Sequence, residues 1–197
     1  MTEAVAFLRS RGLEPAAMTN TWRLDDNFAH EYKVRSEFIA RFGFAILTSE
    51  TIDALRPYNP LVEVGCGSGY WAHELRTHGL DVVATDPGTG RYSGVPKGWK
   101  AWTEIERLTA VEAVRRYPDR TLLVVWPDYG VEWAAEALAS YAGRFVLYVG
   151  EGAGGATADD RFHELLEQHF EEHLVVPLPV FDGLHDRLMV WRRLGEA

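Results

Sequence analysis

From Pro60 onward, short apolar runs alternate with segments of helical period, the pattern of a mostly parallel sheet joined by crossover helices. The runs are residues 61–64, 81–85, 99–102, 122–126 and 144–149. Two more, 173–180 and 187–191, are separated by a turn-rich stretch with Phe181-Asp182-Gly183 and no room for a helix. They are expected to form an antiparallel pair that closes the sheet. Helices are expected at 70–78, 104–117, 132–142 and 158–170. Gly79 and Gly143 are helix stops, Ile105, Leu108, Val111 and Val114 share one helical face, and Pro118 follows the second helix. Thr103-x-x-Glu106 and Thr157-x-x-Asp160 are cap signals. Residues 87–98 hold six Gly or Pro in twelve positions and read as a loop.

Before residue 60 the texture is different, with three helical segments at 3–10, 31–42 and 50–55. The expected architecture is an α/β fold with a seven-stranded, mostly parallel, Rossmann-like sheet. An antiparallel C-terminal strand pair and helices on both faces complete it. With no repeat or low-complexity tract, residues 1–197 read as one domain, a helical lid over 1–60 and an α/β core over 61–197.

Composition narrows the function. The 197 residues are 47% hydrophobic and 25% charged, the balance of a soluble globular protein. A net charge of −9 disfavours nucleic-acid backbones and anionic membranes as partners. Arg115-Arg116 and Arg192-Arg193 are only short basic pairs. The single cysteine, Cys66, excludes an intramolecular disulfide. The seven histidines lack ligand-like spacing, so no metal is expected. The N-terminus lacks a basic segment followed by an apolar one, and the strongest apolar run, 122–126, is too short to span a bilayer. A cytoplasmic protein acting on a small molecule is expected, with its oligomeric state left open.

The most informative stretch is Leu61-Val62-Glu63-Val64-Gly65-Cys66-Gly67-Ser68-Gly69-Tyr70-Trp71. A strand runs through three alternate glycines straight into a helix, whose N-terminus offers free N–H groups. A dinucleotide fingerprint, Gly-x-Gly-x-x-Gly, would need glycine where Tyr70 stands, and no Gly-Lys-Ser/Thr phosphate loop is present. On these residues the chain resembles the class I S-adenosylmethionine-dependent methyltransferases, whose first motif is an acid, a spacer and Gly-x-Gly-x-Gly. Glu63, Gly65, Gly67 and Gly69 match it in register. The resemblance implies that the loop, Cys66 included, packs against the methionine half of S-adenosylmethionine, with Glu63 holding its amino group. Of Tyr70 and Trp71, one is expected beside the methionine part, with Tyr70 the candidate, and the other against the sheet.

Asp86 lies 21 residues after Gly65, where a carboxylate accepts from both ribose hydroxyls; its alternative is a turn residue before Pro87. The resemblance further implies an adenine contact near Trp102, Thr103 and Glu104; the alternatives are a core role for Trp102 and a helix cap for Thr103.

Trp126-Pro127-Asp128-Tyr129-Gly130 looks like the Asp/Asn-Pro-Pro-Tyr motif of amino-group methyltransferases but departs at two of four positions. What carries over is the Pro127 carbonyl and the Tyr129 ring. The chain is also similar to short bacterial proteins with Gly-Tyr-Trp-Ala after the glycine loop and Trp-Pro-x-Tyr-Gly on a later strand. Trp126 and Tyr129 are candidates to face the sulfonium or a substrate cation. Asp128 is a candidate base or amine holder, or only a helix cap. Glu151, between glycines at a strand end, is a candidate substrate contact or a solvated loop acid. Asn27, His30, Tyr32, Phe44 and Ile46 are lid candidates. The leading expectation is methyl transfer to a small molecule, with Asp128, Tyr129 and Glu151 as catalytic candidates. Alternatives are another use of the sulfonium, such as cyclisation of its amino-acid part, and a non-catalytic cofactor-binding module. A nucleotide-binding oxidoreductase is disfavoured by the glycine spacing.

Overall fold

All four residues of β1 (Leu61–Val64) are buried, as expected of a strand covered on both faces. Leu61 joins one core cluster while Val62 and Val64 join the other, so the two-residue period puts Glu63 on the face of Leu61. Around it stand β2 (Val82–Thr85), β3 (Thr121–Val125), β4 (Phe145–Gly150), β5 (Phe170–Pro177) and β6 (Arg187–Arg193). The order is β2-β1-β3-β4-β6-β5, with β1 parallel to β2 and β3, and β3 parallel to β4. β6 runs antiparallel to both β4 and β5, which confirms the closing pair. The computed structural model describes residues 1–18, 26–89 and 100–195.

Helices α1 (Glu3–Ser10), α2 (Asp26–Phe42), α3 (Ser49–Leu55) and α4 (Tyr70–Thr77) cover one face. Helices α5 (Ala110–Arg116), α6 (Trp133–Ser140) and α7 (Asp160–His169) cover the other. The N-terminal segment is more than a lid. Phe38, Phe42, Ile46 and Leu55 are buried in the same cluster as Leu123 and Leu147 of the central strands. Among the described residues, no helix is long and apolar enough to cross a membrane.

The sheet has six strands among the described residues where seven were expected. Residues 100–102 of the expected strand do not pair with β2. Instead Trp102 donates its backbone N–H to Ser68 O (2.9 Å) and its indole N–H to Arg41 O (2.8 Å). Its ring stacks on Phe42 at 5.7 Å and meets Tyr70 edge-on at 5.2 Å, so its apolar bulk closes a helix seam. Among the described residues, the edge beside β2 holds one parallel bridge, Thr85 with Glu106.

That bridge also corrects the following helix, which starts at Ala110 rather than residue 104. The capping box is Thr109 with Glu112: Thr109 Oγ1 accepts from the Glu112 N–H, and Glu112 Oε2 accepts from the Thr109 N–H. Asp159, not Thr157, caps α7 by accepting from the Phe162 N–H. Of the expected loop at 87–98, residues 90–98 lie outside the described residues, as does Trp99.

Candidate functional site

The three loop glycines all adopt left-handed backbone angles, with φ of 65°, 54° and 76° at Gly65, Gly67 and Gly69. Side chains rarely tolerate that region, so alternate glycines let the chain coil from β1 into α4. Close packing adds a second constraint. A β-carbon at Gly65 would lie 2.7 Å from the Trp133 ring, and one at Gly69 would lie 3.1 Å from Thr103. The Cys66 N–H donates to Thr85 O (3.0 Å), fastening the loop to the end of β2.

Asp86 completes that fastening. Its Oδ2 accepts from the Gly67 N–H at 3.0 Å and its Oδ1 from the Gly88 N–H at 2.7 Å. The carboxylate therefore shapes the loop where β1 and β2 end.

Glu63 lies beneath this loop and is only 2% exposed. The Ala72 amide in the first turn of α4 lies near its carboxyl, while Oε2 is buried without a hydrogen-bond partner. Burial pushes the acid up to about 8; the Ala72 amide and Arg76 oppose the shift, and the charge of Asp86 adds to it. An orphaned buried acceptor calls for a donor, best a cationic one. Cys66 is half-buried, and its thiol is pushed up by burial and by Glu63 and Asp86.

At the end of β3, Trp126 has φ of 51°, a strained angle for a bulky side chain that costs about 1–2 kcal/mol. Three contacts hold it there. Its N–H donates to Val149 O (2.8 Å), its indole N–H donates to Asp186 Oδ1 (2.8 Å), and its ring stacks on Phe44 at 4.5 Å and 10°. Burial pushes Asp186 up to about 7, with Glu151 adding to the shift; the Trp126 bond, Arg35 and His185 oppose it. The Pro127 carbonyl accepts from the Ala158 N–H (3.0 Å), while Ala158 O accepts from the Gly130 N–H (2.9 Å). Asp128 Oδ2 accepts from the Trp133 indole N–H at 3.0 Å, which turns it toward Gly65 rather than onto the backbone of α6.

Glu151 is a buried latch rather than a solvated acid. Its Oε2 accepts from the Ala156 N–H (2.6 Å) and its Oε1 from the His185 N–H (2.8 Å). The two bonds tie the β4–α7 loop to the loop before β6. Thr157 Oγ1 accepts from the Glu151 N–H, and the Tyr148 hydroxyl donates to Glu151 O. Tyr129, 73% exposed, stands on the rim of an open cleft of about 560 Å³. Glu151, Gly154, Gly155, Ala156, Gly183 and His185 line the rest of it.

The Tyr70 hydroxyl accepts from the Ala4 N–H and donates to Glu74, which places Tyr70 in the seam with α1. Thr103 Oγ1 accepts from Arg76 across α4. Ile46 is core, Tyr32 is exposed, and the ring of His30 pairs with Arg11 O. The side chain of Asn27 lies outside the described residues. No cluster fit to hold a metal ion occurs among the described residues. Sequence reasoning missed Trp133, His185 and Asp186. Each gains its place only through a contact with a distant segment, or in the case of Trp133 through a side chain folded back over the loop.

No family model matches the chain, and no curated protein matches its sequence. Its fold does match solved structures. Magnesium protoporphyrin IX methyltransferase from Synechocystis PCC 6803, with bound SAH, aligns with TM-score 0.51 and 10% identity over 96% of this chain and 97% of that one. The 1,6-didemethyltoxoflavin-N1-methyltransferase of Burkholderia thailandensis aligns with TM-score 0.50 and 16% identity over 88% and 92%. The chain thus has the fold of the class I S-adenosylmethionine-dependent methyltransferases.

Proposed function

We propose that the chain binds S-adenosylmethionine at the ends of β1 and β2 and transfers its methyl group to a small-molecule acceptor. The observation that carries this reading is Glu63, a buried acid with an unpartnered oxygen under a loop of left-handed glycines. An ammonium there would supply the missing donor and hold the acid ionised. Asp86, which fixes Gly67 and Gly88 at the end of β2, is the acid placed to meet the ribose hydroxyls. When bound, the cofactor supplies an electrophilic methyl group. The chain's part is to position the acceptor and exclude water, for which the cleft beside Tyr129 and Glu151 has room. Solved enzymes of the same fold are methyltransferases, both with bound S-adenosylhomocysteine. The oxidoreductase alternative has no such support.

Calorimetric titration of S-adenosylhomocysteine into wild type and Glu63→Gln tests this. The variant keeps shape and loses the charge, so it should bind about 10-fold or more weakly, the usual loss for a charge-assisted bond. Equal affinities would remove Glu63 from the site.

A further inference from the structure

We propose that His185, oriented by Glu151, takes a proton from the acceptor, so that the acceptor is a planar small molecule bearing a hydroxyl or N–H group. This rests on the methyl-transfer reading above. The Nδ1 of His185 lies 3.4 Å from Glu151 Oε1, and the same oxygen accepts the backbone N–H of His185 at 2.8 Å. One carboxylate thus holds both the ring and its backbone. The side chain of Glu151 is 8% exposed while that of His185 is 58% exposed, so the acid is buried and the imidazole faces the cleft that both line.

A carboxylate at Nδ1 selects the tautomer with hydrogen on Nδ1 and leaves the Nε2 lone pair for the cleft. That is the arrangement of a general base with an orienting acid. Asp186, next in the chain, is held by the Trp126 indole N–H at 2.8 Å, and Arg35 of α2 faces the same acid. Gly154, Gly155 and Gly183 leave the cleft without side-chain bulk, and the exposed Tyr129 ring offers a stacking face, which suits a flat ring. The cleft lies between the segments that follow β3 and β4 and the loop before β6; β4 itself is about 10 Å along the sheet from β1 at the usual strand spacing. In the step, the acceptor's oxygen or nitrogen bonds to the methyl carbon. The methyl–sulfur pair returns to sulfur, the acceptor's proton passes to Nε2, and solvent later removes it.

Two measurements test the inference. Nitrogen NMR of histidine-labelled free protein, recorded with the ring neutral, should place the His185 hydrogen on Nδ1; a hydrogen on Nε2 overturns the assignment. A panel of phenols and anilines, with thioethers and tertiary amines as members lacking a removable proton, should give methylated phenols or anilines with wild type. His185→Asn should lose about 100-fold or more of that turnover while keeping S-adenosylhomocysteine affinity within twofold. Variant turnover within threefold of wild type, or no methylation of any proton-bearing member, overturns it too. Failure of wild type to bind S-adenosylhomocysteine would strike the methyl-transfer reading instead, which keeps the two failures distinct.

Discussion

Asp128 accepts a hydrogen bond from the Trp133 indole, and the same ring covers Gly65 so closely that a β-carbon there would lie 2.7 Å from it. The acid after β3 is thereby joined to the glycine loop after β1 through one side chain. Asp128 is neither a backbone cap of α6 nor a free acid in solvent. Its orientation depends on the same ring that limits what residue 65 can be.

Gly65→Ala should therefore destabilise the protein twice over, through its φ of 65° and through the clash with Trp133. A loss of about 2–4 kcal/mol is expected in urea denaturation, from left-handed strain plus overpacking. Relative to Trp133→Ala alone, adding Gly65→Ala should cost only the backbone part, about 1–2 kcal/mol. An undiminished cost in that background would mean the ring is not the obstacle.

A double-mutant cycle on Asp128→Ala and Trp133→Phe should give a coupling of about 1–3 kcal/mol, the range for a hydrogen bond to a charged group. Additive effects would remove the bond from the account.

The buried acids set a pH dependence. Glu63 is held near 8 and Asp186 near 7, both above their unfolded values, so each binds a proton in the folded state that the unfolded chain has released. The stability this brings is fully present below the unfolded values and is lost as pH rises through about 7 to 8. Denaturation of ligand-free protein between pH 5 and 9 should show Glu63→Gln and Asp186→Asn gaining on wild type as pH rises. The gain per group is at most about 1.4 kcal/mol per pH unit. Parallel profiles for variants and wild type would contradict the burial argument.

The sequence was most legible where local chemistry decided the structure. The glycine loop, the acid at the end of β2 and the apolar runs of β1 and β3 lie where their spacing predicted. The expected strand at 99–102 failed because a short tryptophan-rich run does not say which partner its rings will meet. Trp102 is held by Phe42 and Tyr70, partners distant in the chain. The cap at Thr103 failed similarly, because Arg76 claims its hydroxyl. Glu151 read as either a substrate contact or a solvated acid, because nothing local reveals that the amides of Ala156 and His185 converge on it. Asp186 and His185 were invisible for the same reason, sitting in a turn whose composition suggests only a turn.

The central claim is that this fold holds a sulfonium nucleoside at the ends of β1 and β2, and side-by-side titration of S-adenosylhomocysteine and a nicotinamide dinucleotide tests it most directly. Wild type should bind S-adenosylhomocysteine the more tightly. Asp86→Ala, which removes the acceptor for Gly67 and Gly88 together with the proposed ribose partner, should weaken that binding by about 1–3 kcal/mol. Tighter binding of the dinucleotide, or equal binding of S-adenosylhomocysteine by wild type and Asp86→Ala, would contradict the account.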